Sequence, residues 1–257
     1  MSTSPGKDFG PIADDYVFFE THATEAEQDA RAYTQQLAAA VPAHGPIRLL
    51  DFGCGSGSFT ARLLEQLRWP PERLQLTLIE PVESVRRLAL PRLTAFTTAA
   101  ITDASSLPAD AVGCFDVVFS NHVLYYVPDL KGQLARLIGA LDRDGVFLTA
   151  IASRANALMA IWFEAFALID REPPYHAAED VEQALRELGV AFGKEAVGYE
   201  LNFADTEENR LRILRFLLAE YLGQMPLRPL LDHFDRYQRD GRINIRTASE
   251  HFMVRPA

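Results

Sequence analysis

Apolar residues recur at two different spacings along this chain. Ala23, Ala26, Ala30, Tyr33, Leu37 and Val41 follow one another every three or four positions, which predicts a helix that Pro42 stops. Thr24 and Glu27 fit a capping box at its start, and residues 1–15 read as a mobile leader. From residue 47 the pattern changes to short apolar runs interspersed with helical stretches. Strands are predicted at 47–52, 74–80, 93–99, 115–120 and 146–151, with helices at 59–67, 82–90 and 130–141. This βαβα series implies a mostly parallel, doubly wound sheet with right-handed crossovers, whose ligands bind at the carboxyl ends of the strands.

Beyond residue 151 the rhythm changes again. Helices are predicted at 156–170 and 179–188, the second ending at Gly189, and strands at 194–203 and 243–254. Residues 205–239 between those strands carry two helical patterns broken at Met225-Pro226, with Asp205 placed to cap the first. A hairpin needs only a few residues, so this stretch is expected to be a helical lid inserted between the last two strands. Residues 16–41 are expected to form an N-terminal helical cap on a single domain spanning 1–257.

Composition narrows the partners. Against 25 Lys and Arg stand 35 Asp and Glu, a formal charge of −10, and the longest cationic run is Arg86-Arg87. That is the wrong balance for tracking a phosphate backbone, so a small molecule is expected rather than nucleic acid. Cys54 and Cys114 have neither disulfide-framework nor metal-site spacing, so no metal and a reducing, cytoplasmic setting are expected. No apolar run approaches the 18 or so residues of a membrane span, and the first twenty residues hold no signal-like stretch. Monomer and dimer both stay open.

The most function-specific stretch is LLDFGCGSGSFT at 49–60. Gly53, Gly55 and Gly57 alternate between an apolar run and a helix start, where backbone must turn tightly and pass close to a ligand. Asp51 precedes them, and Glu80 closes the next predicted strand, where a carboxylate can accept both hydroxyls of a ribose. A dinucleotide fingerprint would place its third glycine at 58, which is Ser58, and no GK[ST] follows to make a P-loop. The GxGxG form instead resembles motif I of the class I S-adenosylmethionine-dependent methyltransferases. DASSLP at 103–108 and FDVVFSN at 115–121 resemble the next landmarks of that family.

The resemblance implies an α/β fold: a Rossmann-like, doubly wound, mostly parallel seven-stranded sheet with an antiparallel last strand. It also implies S-adenosyl-L-methionine as cofactor. Gly53, Gly55 and Gly57 would lie along the methionine portion, with Asp51 behind them, and Glu80 would hold the ribose. Asp103 and Ala104 would border the adenine, and Ser120 would line the reactive end. Cys54 is expected to be a small packed residue.

After the fourth predicted strand the chain reads His122-Val123-Leu124-Tyr125-Tyr126. A histidine there could accept a proton from the methyl acceptor, and the tyrosine pair could wall a cationic amine or ring. NHVLYYVPDL, the helix with Trp162, ETHATEAEQ at 20–28 and the ending RYQRDGRINIRTASEHFMV are similar to the histamine N-methyltransferase branch. That likeness implies that Glu25 binds the substrate amine and that Tyr125, Tyr126 and Trp162 surround it. The branch has glutamine in place of His122 and an asparagine near Ala248, so the acceptor itself is open. The expected function is S-adenosylmethionine-dependent methylation of a small molecule, at nitrogen of an amine or imidazole. The alternatives are oxygen methylation of a carboxylic acid or hydroxyl, and cofactor binding without catalysis.

Overall fold

The computed structural model describes residues 10–256. Two helices open the chain, α1 (Ala13–His22) and α2 (Glu25–Ala40). An alternating series follows: β1 (Ile47–Phe52), α3 (Ser58–Leu67), β2 (Leu74–Ile79), α4 (Glu83–Leu93), β3 (Thr102–Ala104), β4 (Phe115–Asn121), α5 (Leu130–Gly139) and β5 (Leu141–Ala152). Then come α6 (Ala157–Ala167), α7 (Ala178–Glu187), β6 (Phe192–Ala204), α8 (Glu207–Leu218), α9 (Leu227–Asp232), the two-residue β7 (Gln238–Arg239) and β8 (Arg242–Val254). The sheet runs β3-β2-β1-β4-β5-β8-β6, with β7 paired to β8 off this path. Strands β1 to β5 pair in parallel, and β8 inserts antiparallel between β5 and β6.

Both faces of the sheet are covered, which explains why its central strands read as unbroken apolar runs. Alternate residues feed opposite cores: Leu49, Val117, Phe119 and Leu148 join the layer with Tyr33, Leu37 and Leu63. Leu50, Val118, Phe147 and Ile151 join the layer with Leu134, Leu137 and Val181. Helices α2, α3 and α4 therefore pack on one side and α5 to α8 on the other. Among the described residues no helix is long and apolar enough to cross a membrane.

Several elements differ from the sequence prediction. Residues 93–99 are not a strand: Leu93 is the buried last residue of α4, a 3-10 turn follows, and the edge strand is Thr102–Ala104. A short apolar run does not distinguish a strand from a buried helical turn, and packing decided for the turn. Residues 1–9 of the expected leader lie outside the described residues, whereas 13–15 begin α1. The N-terminal cap is thus two helices with a break at Ala23-Thr24. Thr24 makes no capping bond to α2; its amide donates to the Glu200 carbonyl at 2.8 Å and its hydroxyl accepts from the Glu200 amide at 2.9 Å. Glu27 faces Arg62 instead, at 2.9 Å. The expected seven strands are joined by the small β7.

Residues 205–239 do form helices between β6 and β8. They are tied to the sheet side by Trp162, whose indole N–H donates to the Leu217 carbonyl at 2.7 Å. Helix α1 docks on them through Phe19 stacked on Phe216 at 4.5 Å and Asp15 near Arg212 at 3.5 Å. Trp162→Phe keeps an aromatic ring and removes the N–H donor. The expected cost is about 1 kcal/mol, read as a lowered thermal midpoint and faster amide exchange across 207–237 than across β1.

Candidate active site

At the carboxyl end of β1 the backbone reverses through three left-handed glycines, with φ of +79° at Gly53, +52° at Gly55 and +74° at Gly57. Their reasons differ. A Cβ on Gly53 would lie 2.4 Å from a Val123 methyl, and one on Gly57 would press on Ala89 of α4 at 3.0 Å. A Cβ on Gly55 would meet nothing within 4 Å, so that glycine leaves space in front of the loop. Gly53 and Cys54 donate their amides to the Ile79 carbonyl at 2.7 and 3.1 Å, which folds the loop over the end of β2.

Glu80 stands in front of that loop, its carboxylate accepting from the Gly55 amide at 3.2 Å and the Val82 amide at 2.9 Å. Asp51 is buried behind it and accepts from the Thr60 hydroxyl. Burial raises the Asp51 carboxyl to about 7, Thr60 opposing and Glu80 adding to the rise. Asp103, at the end of β3 beside Ala104, is paired with Arg86 at 2.6 Å, and Arg86 also donates to the Glu80 carbonyl at 2.6 Å. Ser120 is fully buried near the end of β4, its hydroxyl unpartnered among the described residues. Burial also pushes the Cys54 thiol up, as suits a packed residue. The predicted nucleotide-side residues thus gather along the ends of β1 to β4.

The second half of the site is built by α2 and β8. Glu25 and Asp29 lie one turn apart on α2, about 6 Å along the axis, which matches the roughly 6.6 Å between alternate residues of a strand. Glu25 accordingly faces Ser249, whose hydroxyl donates at 3.5 Å, and Asp29 faces His251, whose Nε2 lies 2.8 Å away. Asp29 is 1% exposed and also accepts from His122 Nε2 at 2.9 Å and Asn121 Nδ2 at 3.3 Å. Burial works against its charge, but His122 and His251 outweigh burial and hold the carboxyl well below the usual range.

His122 sits at φ +56°, in the left-handed region just beyond β4. Its Nδ1 meets the Tyr125 hydroxyl at 3.0 Å, and that hydroxyl accepts from the Ala152 amide at 2.7 Å. Burial disfavours the imidazolium, yet Glu25 and then Asp29 override it and the ring titrates at about 9. Both ring nitrogens are therefore committed inside the protein and the ring already carries its proton at neutral pH. The expected proton-accepting role has no free nitrogen to perform it. Burial raises Glu25, with His122 opposing and Asp29 adding to the rise.

The expected aromatic surround is present and larger than Tyr125, Tyr126 and Trp162. Tyr175 lies 4.6 Å from Trp162 and 5.2 Å from Tyr126, and Trp162 meets Tyr125 edge-on at 5.7 Å. Asp29, His251, Tyr175 and Tyr199 were missed by sequence reasoning. For Asp29 there was a signal: two acids four residues apart on one helix face repel each other and need a reason to be there. A cavity of about 380 Å³ lined by Val41, Pro42, Asp116 and Asp142 lies at the opposite, amino ends of the strands and shares no residue with this cluster.

Two outcomes follow from the loop geometry. Gly53→Ala combines a left-handed penalty with overlap against Val123 and is expected to cost about 3 kcal/mol of stability. Gly55→Ala should cost only about 1 kcal/mol yet weaken S-adenosylhomocysteine binding, as chemical denaturation and calorimetry would show. A third concerns Asp51, whose folded carboxyl titrates far above its unfolded value near 3.9. Between those values the unfolded chain loses its proton first, so stability falls as pH rises from about 4 to 7. Asp51→Asn should flatten that fall by on the order of a few kcal/mol in pH-dependent denaturation.

Comparison with known proteins agrees with this geometry. A family profile described as a methyltransferase domain matches residues 22–194. Trans-aconitate 2-methyltransferase of Rhodopseudomonas palustris strain BisB18 is 27% identical over 240 residues, covering 92% of this chain and 88% of that one. The plantazolicin methyltransferase BpumL, solved with S-adenosylhomocysteine, has the same fold at a TM-score of 0.57 and 13% identity over 96% of this chain and 90% of that one. A Thermotoga maritima structure described as a possible histamine N-methyltransferase aligns at a TM-score of 0.54 and 12% identity, covering 97% of this chain and 98% of that one. That last likeness is one of fold alone. The narrower resemblance to the histamine branch is corrected accordingly, since the full-length sequence relatives carry the trans-aconitate name. The chain belongs to the methyltransferase-domain family and is an S-adenosylmethionine-dependent enzyme that methylates a small molecule.

Proposed function

We propose that the acceptor is a carboxylate oxygen of a small organic acid. The observation that carries this reading is the state of His122: its two nitrogens are bound to Asp29 and Tyr125, and it is already protonated at neutral pH. A site without an available base suits a nucleophile that has already lost its proton, and a carboxylate has done so. The trans-aconitate relatives, which span most of the chain, support the same choice.

S-adenosylmethionine supplies an electrophilic methyl group on a sulfonium. Transfer to a carboxylate breaks the carbon–sulfur bond, leaves its electron pair on sulfur and forms an uncharged ester without releasing a proton. The protein's part is then to bind, align and dehydrate. Gly53, Gly55 and Gly57 would hold the methionine portion, and the space in front of Gly55 fits a cradle that a side chain would obstruct. Glu80 would receive the ribose, Asp51 would support the loop from behind, and Asp103 with Ala104 would border the adenine. The unpartnered Ser120 hydroxyl suits the reactive end. Tyr125, Tyr126 and Trp162 would wall the acceptor, while α1 and residues 205–239 form the lid. His122 would orient the acceptor rather than take its proton.

A nitrogen acceptor is the second reading, and what favours it is the pair of acids, Glu25 and Asp29, beside that aromatic wall. The two separate by pH. With labelled cofactor, trans-aconitate and cinnamate are expected to give base-labile methyl esters at rates that do not climb between about pH 6 and 8. A protonated amine must first lose its proton, so histamine would show kcat/KM rising about tenfold per unit below its pKa. Methylation of histamine with no ester from either acid would replace the first reading by the second.

A further inference from the structure

Glu25 and Asp29 share a helix face but not a chemical situation. Asp29 is fully used: Asn121, His122 and His251 all donate to it. Glu25 has no comparable set. Its nearest cationic group is His122 at 3.6 Å, Ser249 donates weakly at 3.5 Å, and the Tyr199 hydroxyl approaches it from β6. Among the described residues no Lys or Arg forms an ion pair with either acid. One imidazolium balances one carboxylate in a site this dry, and Asp29, which is closer, takes it. The second acid is left without a counter-charge, its side chain only 14% exposed. A carboxyl in that position keeps its proton more readily than one in water.

We infer that Glu25 stands in the site as a neutral carboxylic acid that donates its proton to the acceptor's carboxylate, the two groups sharing one proton while the acceptor's other oxygen is methylated. This rests on the carboxylate-acceptor reading and assigns Glu25 a role opposite to that of an amine anchor: it selects for acids. The pattern has a precedent in physical chemistry, since two carboxyl groups that approach closely cannot both ionise and hold one proton between them. His122, charged and one contact away, adds attraction for an anion. Conversion of the acceptor to an ester removes its charge and weakens the hydrogen bond from Glu25, which favours product leaving.

The groups that face Glu25 come from every side. They are Tyr16 of α1, Asp29 on its own helix, His122, Tyr125 and Tyr126 beyond β4, Tyr199 of β6 and Ser249 of β8. The four buried phenols among them that titrate are all pushed upward by burial and stay neutral at ordinary pH. Asp29 stays ionised over the same range. That leaves Glu25 and, further up the scale, His122 as the groups whose charge changes. Loss of the Glu25 proton would set a second negative charge against the acceptor.

The test joins one measurement that needs no acceptor to a set of variants. In the enzyme loaded with S-adenosylhomocysteine, the infrared difference between wild type and E25Q at neutral pH should contain a protonated carboxyl band that disappears on raising the pH. Absence of that band, with only ionised carboxylate lost in E25Q, overturns the inference. With trans-aconitate and cinnamate as probes, wild-type kcat/KM should fall at alkaline pH. E25Q keeps a hydrogen-bond donor that does not titrate, so its KM should rise only about threefold and the fall attributable to Glu25 should vanish. E25A lacks the donor and should raise KM about ten- to hundredfold with S-adenosylhomocysteine affinity retained. Equal loss in E25Q and E25A would also overturn it, provided both bind S-adenosylhomocysteine. If instead histamine alone is methylated and E25Q abolishes that reaction, the carboxylate-acceptor reading fails, which is a different result from failure of the Glu25 assignment alone.

Discussion

The buried carboxylate of Asp29 is the interaction on which the acceptor side of this enzyme depends. It receives hydrogen bonds from the end of β4, from the residue beyond it and from β8, while its own backbone belongs to α2. Removing one partner of a buried charge of this kind leaves the rest uncompensated, at a cost of about 3–5 kcal/mol. The carboxylate therefore does more than stabilise. It fixes where the N-terminal helix crosses the sheet, and so where Glu25 is presented one turn earlier. It also helps to hold His122 in a left-handed conformation that side chains other than glycine rarely adopt.

The nucleotide side follows a different logic, because it is made mainly of backbone. Three left-handed glycines between β1 and α3 turn the chain, and each is needed for its own reason: contact with Val123, open space, or close packing of α3 on α4. Glu80 is steered by two amides rather than by a cation, which leaves its carboxylate ionised and directed at the space before the loop. Loop and acid thus form one preorganised unit on the ends of neighbouring strands. The acceptor side, by contrast, is assembled from side chains on elements far apart in sequence, with Glu25 and Ser249 separated by almost the whole chain.

Helix α1 joins the two halves. Ser58, at the start of α3 beside the glycine loop, donates to Glu20 at 3.4 Å, while Phe19 and Asp15 engage α8. Movement of the helical insertion would be felt at the nucleotide loop through this one short helix. Trp162 anchors the same insertion from below and at the same time contributes to the aromatic wall. Packing and substrate contact are therefore not separate duties for that residue.

Local pattern made a large part of this legible in the sequence. Apolar runs, helical spacings and the glycine triplet with Asp51 and Glu80 are short-range features, set by what neighbouring residues can do to one backbone, and they identified the parallel sheet, the nucleotide loop and the family. The exceptions were places where local signals were ambiguous: an apolar run at 93–99 that packed as the end of a helix, and a Thr24 whose hydrogen bonds went to β6 instead of its own helix. The protonation state of His122 and the inequality of Glu25 and Asp29 could not be read in the same way. They depend on burial and on partners brought from β4, β6 and β8, and the charge of a buried group is a property of everything around it. The sequence by itself determined the fold and the kind of donor; only the tertiary structure, by deciding which acid is paired and which is not, narrowed the kind of acceptor.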